Sequence, residues 1–429
     1  MRQSYHLPLM GLLLFFLIPS QLCKKCVVSE GELSSLAPLL RTMLNSNYTN
    51  VAQAANVLLS LRLVGMQNQS IEKQIIRLIK DNVEKKESNL SSGQLALVIL
   101  ALGACHNPDE KCGFDSHLVD LLEEKFQAEI ANMEKHNGNP LTNYYQLSLD
   151  VLALCLFNGN YSINRTAELF NPENKNYYFS DQFSVDTGGM AVLALTCVRR
   201  RNQQIKTDQG NLERIDNYTE SLVKKILLEI KENGLIGNIY STGEAMQALF
   251  VSSNYYRENE WNCQKTLQTV VNEISQGAFR IPTAAAQILP ALMGKTYLDV
   301  NRNSSCVYDN FNISILVPGP APPTISPSNI KVHYSVKINE TYSTNVTVLN
   351  GSVFLDVMEA AQRQNKTIFG FTKEESSWGP YITSVQGLRA NNNDRTYWEL
   401  LSGGKPLSQG VGSYVVHSGE NLEIRWSKY

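Results

Sequence analysis

The sequence has little of what most enzyme chemistry needs. It holds six histidines among 429 residues, and these are scattered, one of them in the N-terminal leader, with no metal-ligand spacing. HExxH, G-x-S-x-G, a Walker loop and a dinucleotide fingerprint are all missing, which removes the zincin, α/β-hydrolase, P-loop and Rossmann classes. The Gly-Cys-Gly-Glu-Gln thioester motif is absent too. Lys and Arg number 38 against 40 Asp and Glu, with no basic run to track a phosphate backbone, so nucleic acid and anionic membranes are poor partners. The one long apolar run, Leu7–Ile18, is too short to span a bilayer.

That run follows Arg2 and precedes Ser20-Gln21, which describes a secretory signal peptide over residues 1–23, with cleavage placed after Cys23. The mature chain is therefore expected to be exported, extracellular and free of membrane insertion. Twelve Asn-x-Ser/Thr sequons fit that route: Asn47, Asn68, Asn89, Asn160, Asn164, Asn217, Asn303, Asn312, Asn339, Asn345, Asn350 and Asn365. So many in an exported chain predict a glycan-coated surface. The eight cysteines are disulfide candidates in an oxidising compartment. Loss of Cys23 leaves seven, and Cys112 is the candidate for the odd thiol.

A pattern recurs between residues 50 and 295, in which a cap-forming stretch opens an Ala- and Leu-rich helix. The helices centre on Ser60, Ala101, Ala153, Ala194, Ala248 and Ala291, at steps of 41, 52, 41, 54 and 43 residues, a repeat of the helix-pair kind. One-sided helices such as Ile71–Lys80, Leu118–Ala128 and Ser221–Lys231 lie between them. Helices apolar almost all round must be buried, whereas one-sided ones can lie outside. The pattern predicts two concentric rings, an α/α barrel; an open solenoid and an irregular bundle are the alternatives. The last five apolar helices open on polar residues: Ser91–Gln94, Thr142–Gln146, Ser184–Thr187, Ser241–Glu244, and Thr283 before Gln287. In a closed ring these N-termini share one mouth, rich in free N–H groups, hydroxyls and amides.

Five prolines between Pro318 and Pro327 read as an extended linker. Beyond it Ile330, Val332, Tyr334, Val336 and Ile338 alternate with polar residues, as in a strand with one wet face. Asn350-Gly351 marks a turn, Ser352 is a cap for a helix reaching Gln362, and Tyr414–Val416 and Leu422–Trp426 read as strands. The tail is an α+β unit of about 100 residues.

Two function classes remain open, a binding protein and a secreted α/α-barrel carbohydrate-active enzyme. The enzyme needs two opposed carboxyl groups, and Asp186 and Glu244 are the only obvious pair.

The segments PLTNYYQLSLDVLALC (Pro140–Cys155), FSVDTGGMAVLALTC (Phe183–Cys197), GNIYSTGEAMQAL (Gly237–Leu249), AAAQILPALMGKTY (Ala284–Tyr297), SWGPY (Ser377–Tyr381) and TYWELLSGG (Thr396–Gly404) resemble the cobalamin-transport protein family. That family comprises the transcobalamins, intrinsic factors and haptocorrins. The leader and the abundance of sequons look most like the haptocorrin branch. The resemblance implies an α6/α6 barrel over residues 24–308, a linker over 309–329 and a small β-rich domain over 330–429, with cobalamin buried between the domains and no catalysis. It places Gln94, Thr142, Tyr145, Gln146, Asp186, Asn238 and Gln287 on the barrel side of the ligand. Trp378, Gly379, Pro380, Tyr381, Ile382, Trp398, Leu400, Ser402 and Leu407 fall on the covering side. It pairs Cys26 with Cys263, Cys105 with Cys306 and Cys155 with Cys197. A monomer with an unidentified cell-surface receptor is expected, and cobalamin is cargo, not catalytic cofactor. Two positions depart from family patterns. Phe183 stands where some relatives carry a cobalt-binding histidine, and Ser384 and Arg389 stand where some carry a cysteine pair.

Overall fold

A computed structural model describes residues 26–428, apart from 47, 49, 67–68, 87–89, 105–114, 180, 204–208, 301–327 and 377–378. Cys105, Cys112, Cys306, Trp378, the proline-rich linker and five of the sequons lie outside the described residues.

The helical region runs α1 (Ala37–Leu44), α2 (Val51–Leu63), α3 (Gln69–Lys86), α4 (Ser92–Gly103), α5 (His117–Lys135), α6 (Tyr144–Leu156), α7 (Ile163–Leu169), α8 (Val185–Asn202), α9 (Gln209–Leu228), α10 (Thr242–Val251), α11 (Cys263–Ser275) and α12 (Pro282–Leu292). The even-numbered helices are the apolar ones. Each packs on the next, and α12 closes on α2, so the ring is shut. Burial follows from composition: every residue of α2 except Gln53 is buried, and α4 is buried from Ser92 to Leu102 apart from Gln94. The odd-numbered helices are one-sided and lie outside; α5, for example, buries Leu118, Leu122, Phe126 and Met133 at helical spacing.

Glycine sets the closest helix approach. A Cβ on Gly93 would lie 2.5 Å from Gln146 Cβ, so α4 meets α6 at a distance no larger residue allows. Among the described residues, two disulfides tie the ring. Cys26–Cys263 joins the start of the described chain to α11, near the point where Val28 N–H donates to the Leu292 carbonyl. Cys155–Cys197 joins neighbouring inner helices α6 and α8. Both pairings are those implied by the resemblance.

The tail is a small β-rich domain. Its strands β3 (Asn329–Lys337), β4 (Thr341–Leu349), β8 (Thr396–Ser402), β9 (Lys405–Pro406) and β10 (Asn421–Lys428) form one sheet in the order β4-β3-β10-β8-β9. The strands β5 (Phe371–Ser376), β6 (Gly379–Val385) and β7 (Leu388–Arg389) form an antiparallel second sheet. A short hairpin of β1 (Tyr178–Phe179) and β2 (Gln182–Phe183) belongs to the barrel, between α7 and α8. The tail core gathers Tyr334, Phe354 and Phe369 in edge and tilted contacts.

Local expectations are corrected in three places. Helix α13 (Phe354–Gln364) is preceded by Val353, not capped by Ser352, and Asp356 accepts the Val353 N–H instead. The stretch Tyr414–Val416 is not a strand; it makes one isolated bridge, Val353 to Val415. At α12, Thr283 lies inside the helix, which opens on Ile281 and Pro282, proline at the first turn needing no N–H donor. Positions 384 and 389 face each other directly across β6 and β7, where Ser384 bonds Thr372 and Arg389 pairs with Glu374.

Candidate functional site

The N-termini of the inner helices open on one side of the ring. Ser91, Asn143 and Ser184 cap α4, α6 and α8 by accepting the N–H of Gln94, Gln146 and Thr187. At α10 the cap is indirect: Ser241 and Thr242 hydroxyls hold the Ile236–Asn238 turn. Over this mouth lies the small domain, and between the two is a cavity of about 880 Å³ lined by residues of both.

The walls differ in chemistry. From the barrel come Asn56, Gln94, Thr142, Gln146, Asp186 and Gln287, a set of amides, a hydroxyl and a carboxyl. From the small domain come the apolar Pro380, Ile382, Trp398, Leu400 and Val411, with Glu374, Asn392, Thr396 and Gln409 among them. Three polar atoms of the barrel wall, Asn56 Oδ1, Thr142 Oγ1 and Gln287 Oε1, have no hydrogen-bond partner within the protein. Buried polar atoms are rarely left so, and here they border the cavity. No Lys, Arg or His is among the described residues that line it.

Beneath the mouth lies a carboxyl pair. Glu244 is fully buried, and Tyr145 Oη donates to its Oε1 at 2.5 Å. Gln287 Nε2 donates to the same Tyr145 oxygen at 3.3 Å. Asp186 meets Glu244 side chain to side chain. Desolvation raises both carboxyls above their ordinary range, Glu244 far above it with the Asp186 charge adding to the effect. The glycosidase reading gains no support from this pair, because a sugar bond must sit between two acids and Glu244 is fully buried and does not line the cavity.

Of the sequence-predicted residues, Gln94, Thr142, Tyr145, Gln146, Asp186, Asn238, Gln287, Pro380, Tyr381, Ile382, Trp398 and Leu400 are brought together around the cavity. Trp398 also serves the core, its ring tilted on Trp426 at 5.0 Å between centroids. Gly379, Ser402 and Leu407 are not among the lining residues; Ser402 donates to Glu420, and the Leu407 N–H donates to the Leu400 carbonyl. Trp378 falls outside the described residues. Sequence reasoning missed Asn56, Phe179, Tyr240, Tyr297, Tyr397 and Gln409. Only Asn56 left a signal, a lone amide in an otherwise apolar stretch of α2.

The small domain is fixed to the barrel rim by the turn between β7 and β8. Asn132 and Asn139 Nδ2 donate to Asn393, Asn392 Nδ2 donates to the Leu141 carbonyl, and Arg395 donates to Asn176 Oδ1 and to the Lys175 and Tyr178 carbonyls.

The model for eukaryotic cobalamin-binding proteins matches residues 8–326, and a domain family of unknown function matches residues 351–428. The chain belongs to the eukaryotic cobalamin-binding protein family. It is 68% identical to transcobalamin-1 of Homo sapiens, covering 100% of both chains. It is 53% identical to transcobalamin-1 of Sus scrofa, with 96% of this chain and 98% of the relative covered. It is 34% identical to the cobalamin binding intrinsic factor of Homo sapiens, with 96% and 95% covered. The crystal structure of haptocorrin in complex with Cbi superposes at a TM-score of 0.86 and 66% identity, over 95% of this chain and 100% of that one. Family membership thus agrees with a barrel, a small β-rich domain and a cavity between them.

Proposed function

We propose that the protein is a secreted, glycosylated carrier that encloses one cobalamin between its two domains and performs no reaction on it. The observation that carries this reading is a cavity between the two domains in which the amides, hydroxyl and carboxyl of the barrel mouth face apolar side chains of the small domain. A corrin has an apolar face and a rim of primary amides, which both donate and accept. Gln94, Thr142, Gln146, Asp186, Asn238 and Gln287 would serve the rim, and the unpartnered oxygens of Asn56, Thr142 and Gln287 would take amide N–H donors. Pro380, Ile382, Trp398 and Leu400 would lie on the ring. The volume, about 880 Å³, is at the upper end of the roughly 300–1,000 Å³ usual for small-molecule sites, which suits a large rigid ligand. Burying such a ligand costs little ordering entropy.

Export is supported by the leader and by the sequons. The seven sequon asparagines among the described residues, Asn160, Asn164, Asn217, Asn339, Asn345, Asn350 and Asn365, are all exposed, and none lines the cavity. The carrier acts as a monomer, and delivery rests on a cell-surface receptor. The test is retention: the protein secreted from cells should hold cobalamin through gel filtration at one ligand per chain. Loss of Trp398 (Trp398→Ala) should accelerate release at least tenfold, and an unaltered release rate with intact folding would remove Trp398 from the cover.

A further inference from the structure

Glu244 is the one acid at this site that the ligand cannot reach. It is fully buried on α10, behind the cavity wall. One oxygen accepts a hydrogen bond from the Tyr145 hydroxyl at 2.5 Å, and the other, Oε2, has no donor in the protein. The group against it is Asp186 of α8, itself an acceptor when ionised. Two ionised carboxylates side by side, with Glu244 wholly buried, repel and leave Oε2 unsatisfied. A single proton between them removes both faults, because the protonated acid donates to its neighbour.

We propose that Asp186 and Glu244 hold one proton between them, and that Glu244 is a positioning residue which keeps that proton so that Asp186 can face the ligand as an acceptor. An amide N–H of the ligand on Asp186 favours the charge there and the proton on Glu244. The Tyr145 hydroxyl, fixed by Glu244 Oε1 and approached by Gln287 Nε2, is then presented at a set position on the same wall. This rests on the carrier reading and deepens it, assigning a role to a residue outside the ligand's reach.

The proposal fixes the sign of a pH effect. Ligand binding expels water from the cavity, so the pair holds its shared proton more tightly when loaded than when empty. Retention is therefore present below the pH at which the empty site loses the proton, and it is lost as pH rises through the loaded site's value. The other titratable groups facing the pair are Tyr145 of α6 and Tyr297 of the turn after α12. Both phenols are pushed above their ordinary range, chiefly by burial, so they stay protonated while the pair titrates. Gln247 of α10 and Gln287 of α12 complete the surroundings and do not titrate.

The experiment measures cobalamin release rate against pH, and proton uptake on binding, in the full-length secreted protein. The wild type should show an alkaline limb, release accelerating toward about tenfold per pH unit, the limit for one linked proton. It should also take up a fraction of a proton per cobalamin bound in that range. Glu244→Gln keeps the shape and the Tyr145 contact but cannot share an acidic proton, so the limb and the uptake should vanish. Tyr145→Phe removes a donor from the anion and should move the limb to higher pH. That shift is read independently should Glu244→Gln fail to fold. A limb that persists in Glu244→Gln, or cobalamin bound without proton uptake in the wild type, overturns the shared proton while leaving the carrier reading intact. A wild type that retains no cobalamin at any pH overturns both.

Discussion

At the scale of single residues, the barrel raises the carboxyls of Asp150, Asp186 and Glu244 above their ordinary range, chiefly by desolvation. Asp150 on α6 is wholly buried, and desolvation with the nearby Glu129 charge raises its carboxyl far above the ordinary range. An acid with a raised folded pKa supports the fold fully below its unfolded value, and that support is lost as pH rises through the folded one. Asp150→Asn removes this titration. We expect thermal melts of the variant to fall less steeply than the wild type from acid toward neutral pH, and parallel curves would contradict a neutral Asp150. Asp186 is different because it borders the cavity. Asp186→Ala should weaken cobalamin binding by about 1–3 kcal/mol, the cost of leaving a buried amide without a charged acceptor. Unchanged dissociation kinetics in a folded variant would exclude the contact. Asp186 was legible from the sequence twice, as an acid among the polar residues that open an inner helix and through the family motif, whereas Glu244 in its first helical turn reads as a partner of the helix dipole. Its contact with Glu244 was not legible, because 58 positions separate them and only the packing of α8 on α10 brings them together.

At the scale of elements, the apolar helices declared themselves by composition. A segment such as α4, buried on almost every side, has no solvent face to carry charge, so its place in the inner ring follows from its residues. The tail was harder to read. Strand β3 shows clean alternation because one of its faces is wet, but β6 is mostly buried from Ile382 to Val385, and a continuous run of that kind carries no period. Turn chemistry misled at Ser352, where a good capping residue stands one position too early. Helix spacing yields a sharp test. With Gln146 Cβ 2.5 Å from where a Cβ on Gly93 would stand, Gly93→Ala must push α4 off α6 and shift Gln146 in the cavity. We expect a loss of about 1–3 kcal/mol in stability, the usual range for overpacking, together with faster cobalamin release. A variant with wild-type stability and release would show that the two helices adapt. The α6–α8 crosslink, spanning a sequence separation of 42 residues, should contribute roughly 4 kcal/mol by the chain-entropy relation. The double variant Cys155→Ala, Cys197→Ala should melt well below the wild type, and a melting temperature within a degree or two would contradict that.

At the scale of the whole molecule, neither domain makes the site alone. The barrel mouth offers polar groups with partners missing, and the small domain sets Pro380, Ile382, Trp398 and Leu400 across the cavity from them. The two are held in register along one rim by the Asn392–Arg395 turn, in which Arg395 adopts φ +54°, a left-handed conformation costly for a long side chain and offset here by three bonds to the barrel. The tail's role as a cover could not be read from its composition, because its apolar cavity residues also read as core. The central claim is that cobalamin is enclosed by both domains of one chain. It is tested most directly by the visible absorption spectrum of the purified full-length protein, taken after addition of hydroxocobalamin and gel filtration. The account predicts corrin absorption that co-elutes with the protein at one ligand per chain and is lost rapidly from Trp398→Ala. Protein that elutes without corrin absorption, or a stoichiometry of one ligand to two chains, would contradict it.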